Sequence, residues 1–123
     1  MQKFEIIFYE KENGTCPVEE FLLLLDSKMR AKMIGLLEIL EEKGDFFREP
    51  YSKHIDDGIF EIRCKVGRNI SRILYFYYYG EKIIMTNGFM KKTQKTPIEQ
   101  IKKAKEFRSD YKRRMESENI KAV

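Results

Sequence analysis

Ten residues, Ile70 to Tyr79, constrain this chain more than any others. Apart from Ser71 and Arg72 the run is apolar on both faces, and aliphatic and aromatic side chains dominate it. A strand of that kind belongs in the middle of a sheet covered on both sides. Gly67-Arg68-Asn69 turns the chain before it, and Tyr79-Gly80 turns it again afterwards. Upstream, Gly58 precedes Ile59 to Val66, which alternates cleanly. Phe60, Ile62, Cys64 and Val66 share one face, and Glu61, Arg63 and Lys65 share the other. Downstream, Lys82 to Asn87 reads as a further strand.

The flanking segments supply one more strand and the helices. Phe4 to Tyr9 is β-branched and aromatic, and Asn13-Gly14 ends it in a turn. Cys16-Pro17-Val18-Glu19 opens a helix, with proline at its first position and an acid in its first turn. Val18, Phe21, Leu22 and Leu25 keep helical spacing. Ser27 is the expected cap of a second helix, on which Met29, Met33, Leu36 or Leu37, and Leu40 form one apolar stripe that Gly44 terminates. A loop containing Pro50 and His54 follows. Near the C-terminus, Thr96-Pro97-Ile98-Glu99 combines a hydroxyl cap, a proline and a capping-box glutamate. Ile98, Ile101, Ala104 or Lys105, and Tyr111 form the inner face of that helix, while Lys102, Lys105, Arg108 and Lys112 line an outer stripe. The predicted order is βαα-βββ-α: one α+β domain over residues 1–123, an antiparallel sheet with two helices packed on one face. The other face is expected to stay partly open, so that Arg63, Arg72 and the lysines after the last strand meet there.

Charge divides the chain. Residues 1–62 hold 8 Lys/Arg against 14 Asp/Glu, and residues 63–123 hold 16 against 6. The basic half contains Asn87-Gly88-Phe89-Met90-Lys91-Lys92-Thr93-Gln94-Lys95-Thr96-Pro97, three lysines between a strand and a helix with few acids nearby. Such a segment invites an anion, and nucleic acid is the commonest cellular polyanion. An acidic protein partner and a merely solubilising surface are the competing readings. No apolar run is long enough to span a bilayer, and there is no charged-then-apolar leader, so a cytoplasmic protein without membrane contact is expected. Cys16 and Cys64 are then expected as reduced thiols, and the single histidine excludes a Cys2His2 metal site.

These residues suit metal-free RNA cleavage. Attack of a ribose 2′-hydroxyl on its phosphate builds charge on the phosphorane oxygens, which fixed guanidinium groups stabilise bidentately. A lysine crowded by other cations loses its proton more readily, so Lys91, Lys92 or Lys95 can serve as acid or base. Arg72 is the sharpest signal, because a charge within an apolar strand needs a partner or a functional cleft. An ion pair with Glu61 is the bland alternative for Arg72, and for Arg63 too. Tyr75, Tyr77 and Tyr78 are candidates for base stacking, against ordinary packing. His54 more often marks a surface, Asp56-Asp57 a turn, and Cys64 a core thiol.

Three segments resemble one known family. Gly58-Ile59-Phe60-Glu61-Ile62-Arg63 and Arg72-Ile73-Leu74-Tyr75 are similar to two of its strands, and Gly88 to Pro97 is similar to its signature segment at every fixed position. This is the HigB-like branch of the RelE/ParE toxin superfamily, also described as phage-derived Gp49-like proteins. The resemblance implies a RelE-like fold and the toxin of a type II toxin–antitoxin pair, an endoribonuclease that cuts mRNA on the ribosome and halts translation. It implies a cognate antitoxin, typically of helix-turn-helix type, and no cofactor or metal. Arg63, Arg72 and Lys91 occupy the positions of basic active-site residues. Phe89, Lys92 and Lys95 lie in the matching motif as RNA contacts, with Lys65 and Lys102 as further basic contacts. Asn87 departs from the family, whose members often have histidine there. A ParE-like toxin that grips gyrase and a non-catalytic nucleic-acid-binding module are the alternatives.

Overall fold

The computed structural model describes residues 4–44, 47–90 and 95–122, with side chains through residue 118. Its elements are β1 (Glu5–Phe8), α1 (Pro17–Leu24), α2 (Ser27–Lys43), β2 (Ser52–Asp56), β3 (Ile59–Val66), β4 (Asn69–Tyr78), β5 (Lys82–Met90) and α3 (Ile98–Ala122). The five strands form one sheet in the order β1-β5-β4-β3-β2. β2 to β5 are antiparallel neighbours, and β1 runs parallel to β5. The architecture is α+β, mostly antiparallel, and consistent with a RelE-like order.

The expected loop before Ile59 is in part a strand. β2 pairs with β3 through a tight hairpin at Asp57-Gly58, where both residues have positive φ (47° and 77°). Those angles suit a two-residue hairpin turn, whose twist matches that of the strands. β5 also runs three residues past Asn87, carrying the sheet up to the basic segment.

Alternation assigns each strand residue to one of two cores. Ile62 and Cys64 of β3, Ile73 and Tyr75 of β4, and Ile83 and Met85 of β5 lie under α1 and α2, against Met29, Met33, Leu36, Leu37 and Leu40. On the opposite face, Ile59, Leu74, Phe76, Ile84 and Phe89 pack against Ala104 and Tyr111 of α3. The second face is therefore covered by α3 along much of its length, where a partly open face was expected. That is why β4 is apolar on both sides: it is the middle strand between two helical layers.

Local chemistry places the helices. The side chain of Asp26, one residue before the expected Ser27, caps α2 by accepting from the Met29 N–H at 2.9 Å. Arg30 then donates to the Leu22 and Leu25 carbonyls at 2.8 and 2.7 Å, satisfying the end of α1. At α3 the Gln100 and Ile101 N–H groups bond the Pro97 carbonyl, and the Thr96 hydroxyl is turned towards the sheet.

Candidate nucleic-acid site

Cross-strand register sets the site. Arg63 pairs with Arg72, and Arg72 pairs with Phe89, so these side chains stand in one row on the face turned to α3. The neighbouring row reads Lys53, Glu61, Leu74 and Asn87 across the same strands. Two guanidinium groups side by side repel each other, and Glu61 answers that repulsion. Its carboxylate accepts from Arg63 at 3.0 Å and lies 3.8 Å from the Arg72 guanidinium. The Thr96 hydroxyl donates to the same carboxylate at 2.7 Å, tying the start of α3 to β3. Glu61 is thus the hub joining both arginines and α3, and the ion-pair reading of Arg63 and Arg72 holds.

Exposure separates the two arginines. Arg72 is fully buried, whereas the Arg63 side chain keeps 21% of its surface. Burial pushes the Arg72 guanidinium below its ordinary value, Glu61 works in the other direction, and Arg63 adds to the depression. An arginine starts so high that it keeps its charge nonetheless. Only Arg63 of the pair reaches solvent, so an anion arriving from outside meets Arg63 first.

The other predicted residues fall unevenly around this pair. Phe89 is beside Arg72 but 8% exposed and packed in the α3 core, which leaves little ring for a base. Lys65 is exposed near the end of β3, on the face of Arg63, and its carbonyl accepts from Lys32 at 2.6 Å. Lys95 and Lys102 are exposed on the approach to α3 and in its second turn. Lys91 and Lys92 lie outside the described residues. A hollow of about 450 Å³ opens beside Phe89 and Met90, bounded across from them by Asn69, Ile70 and the first turn of α3.

Several sequence candidates resolve into structural roles. Tyr75 is fully buried on the opposite face, sharing a hydrogen bond with Ser52, and Tyr77 packs in the same core. Tyr78 packs edge-on against Tyr111 of α3. His54 pairs with Phe60, on the far face from Arg63, and its Nε2 accepts the Gly58 N–H at 3.0 Å. Cys64 is buried, and burial pushes its thiol up. The outer stripe of α3 is not a free run of cations: Lys105 pairs with Asp56 at 2.6 Å and Arg108 with Asp57 at 2.9 Å. Asn87 is held on every side, accepting from the Thr86 hydroxyl at 2.7 Å and donating to Gln100 at 2.9 Å. It ties β5 to α3, as an uncharged amide without proton-transfer capacity.

Two residues on this face escaped the sequence reading. Lys53 stands opposite Glu61, and the Tyr51 carbonyl accepts the Arg63 N–H at 2.7 Å, so both flank Arg63 from the β2 side. The Asp57-Gly58 dipeptide was the available signal, since it marks a hairpin and therefore a strand on either side.

A family model described as phage derived protein Gp49-like matches residues 20–109. The chain belongs to this Gp49-like family. The matched span takes in β2 to β5 and the first half of α3, hence every described residue of the candidate site. The Gp49-like family is toxin-like and associated with toxin–antitoxin pairing. No curated protein matches the chain. Among the described residues, no helix is long and apolar enough to cross a membrane.

Proposed function

We propose that this Gp49-like protein is the toxin of a type II toxin–antitoxin pair, of the HigB-like branch of the RelE/ParE superfamily, and that it arrests translation by cutting mRNA on the ribosome. One observation carries the reading. Arg63 and Arg72 stand side by side on one face, in the same row as Phe89, whose strand runs directly into the basic segment 91–95.

In the proposed reaction the ribose 2′-oxygen attacks the adjacent phosphorus, and its proton passes to one of Lys91, Lys92 or Lys95. The bond to the 5′-oxygen breaks and that oxygen takes a proton from the ammonium of another of these lysines, leaving a 2′,3′-cyclic phosphate and a 5′-hydroxyl. Arg63, the exposed member of the pair, takes the phosphate oxygens as charge develops on them. Arg72 sits behind it, adding positive field and holding Glu61 in place. A cognate antitoxin of helix-turn-helix type neutralises the toxin.

Inducing the chain alone tests the reading. Growth stops, and newly formed 5′ ends map inside translated reading frames. Arg63→Ala relieves the arrest with little change in melting temperature. Intact transcripts together with broken chromosomal DNA would instead assign the chain to gyrase-gripping toxins. Unaffected growth would leave a non-catalytic nucleic-acid binder.

A further inference from the structure

The reaction above leaves the β2 side of the face unused, and that side is built unlike an ordinary solvated edge. Tyr51 is 46% exposed, yet its ring is held: Phe47 stacks on it with centroids 5.7 Å apart and planes 9° from parallel. Phe47 is itself buried in the core beneath α1 and α2, so it anchors one side of the ring while nearly half of the residue stays open to solvent. Beside it lies a hollow of about 180 Å³, into which Lys53, Arg63, Glu49 and Glu61 also project. Glu61 is already engaged by Arg63, Arg72 and Thr96. Lys53 and Arg63 balance the two acids of the lining, and Arg72, buried behind Glu61, adds one further positive charge.

An immobilised aromatic ring partly open to solvent, next to cations around a small polar hollow, is the pattern that takes a nucleobase and its phosphate together. The distal tyrosines lie elsewhere: Tyr79 is 81% exposed, but it borders a separate hollow with Lys112 and Glu116, beyond the end of β4 opposite Arg72, and its neighbour Tyr78 is tilted 58° to it rather than stacked. We propose that Tyr51, Lys53 and Arg63 form a nucleotide subsite on the β2 side, where a single-stranded RNA base stacks on Tyr51 and its phosphodiester lies against Lys53 and Arg63. The assignment of this nucleotide as a neighbour of the cleaved bond rests on the nuclease reading, whereas the stacking itself does not.

A short 2′-O-methyl oligoribonucleotide carrying 2-aminopurine tests the subsite, because it binds without being cut and its fluorescence falls on stacking. The wild-type chain quenches it. Tyr51→Leu abolishes the quench and weakens binding about 10-fold, within the range for loss of one stacked base. Tyr51→Phe retains both. Lys53→Ala, at an exposed position, weakens binding at low salt and lowers the steepness of the salt dependence. Unchanged quenching in Tyr51→Leu, or unchanged affinity and salt response in Lys53→Ala, overturns the proposal. The two readings fail separately. If Tyr51→Leu both quenches and arrests growth as wild type does, the subsite falls and the nuclease stands. If RNA is never cut but quenching depends on Tyr51, the nuclease falls and the subsite stands.

Discussion

A carboxylate buried as deeply as Glu61, with 1% of its surface exposed, depends on the cations and hydroxyl around it. Arg72→Ala withdraws a buried guanidinium and leaves Glu61 undercompensated, a loss of about 3–5 kcal/mol for a broken buried pair. That is a large share of a domain's usual stability, so the variant is expected to unfold at much lower urea concentration and to lose function through folding. Arg63→Ala removes a partly exposed group and leaves Arg72 and Thr96 on Glu61. It is expected to lower cleavage roughly 100- to 1,000-fold with a urea midpoint close to wild type. A midpoint for Arg72→Ala equal to wild type would remove Glu61 from its place as hub. Tyr9 gives a second test at this scale. Its hydroxyl donates to Asp110 at 2.6 Å, and burial first, then Asp110, push its pKa from 10.0 up to about 12. A raised folded pKa means stability that is complete below pH 10 and lost as pH rises towards 12. Tyr9→Phe should flatten the stability profile in that window while losing about 1 kcal/mol at neutral pH, as read by denaturation at stepped pH.

At the scale of elements, α1 approaches β5 at Gly88, the glycine that opens the basic motif. A Cβ there would lie 2.3 Å from a ring carbon of Phe21, closer than any packed side chain tolerates. Gly88→Ala must push α1 off the sheet or force Phe21 from its rotamer, at about 1–3 kcal/mol. Gly88→Ala combined with Phe21→Leu should recover part of that loss in urea unfolding, and failure to recover would place the strain elsewhere. The motif's glycine is thus explained by packing, which no reading of charge reaches. The elements that were legible in sequence are those whose period is long: the alternation of β3, the two-faced apolar run of β4 and the Met–Leu stripe of α2. β2 was not, because Ser52-Lys53-His54-Ile55-Asp56 holds a single aliphatic residue and gains its order from pairing with β3. Nothing local announces that β1 pairs in parallel with β5. The apolar second face of β4 called for a cover, yet that face was expected to stay partly open, and α3 closes much of it. Arg72 was legible as an anomaly, and its neighbour Phe89 only as part of a motif. The depth at which Arg72 sits follows from α3 packing over it, which the strand pattern does not specify.

Across the whole molecule the acidic first half and the basic second half are folded into one sheet, so charge that is separate in sequence becomes mixed in space. The β2–β3 hairpin brings Asp56 and Asp57 against Lys105 and Arg108, cancelling two of the cations that the helix stripe offered. On the face around the arginine pair Arg63, Lys53 and Lys65 reach solvent, and Lys102 is exposed in the second turn of α3. A single strand of RNA that meets about four such cations releases counterions with a slope near −0.7 per phosphate, or about −3 in total. Affinity should then fall roughly 50-fold as salt rises from about 50 to about 200 mM. Lys105→Ala should leave that slope nearly unchanged, since its charge is spent on Asp56, and should cost less than about 1 kcal/mol of stability. Lys102→Ala and Lys65→Ala should each reduce the slope by close to one phosphate's worth. Titration of a labelled, non-cleavable RNA over a salt series separates these cases. A steep slope that Lys105→Ala alone reduces would mean that the α3 stripe, and not the face around Arg63, carries the nucleic acid. A flat slope with tight binding would assign the basic half to a protein partner.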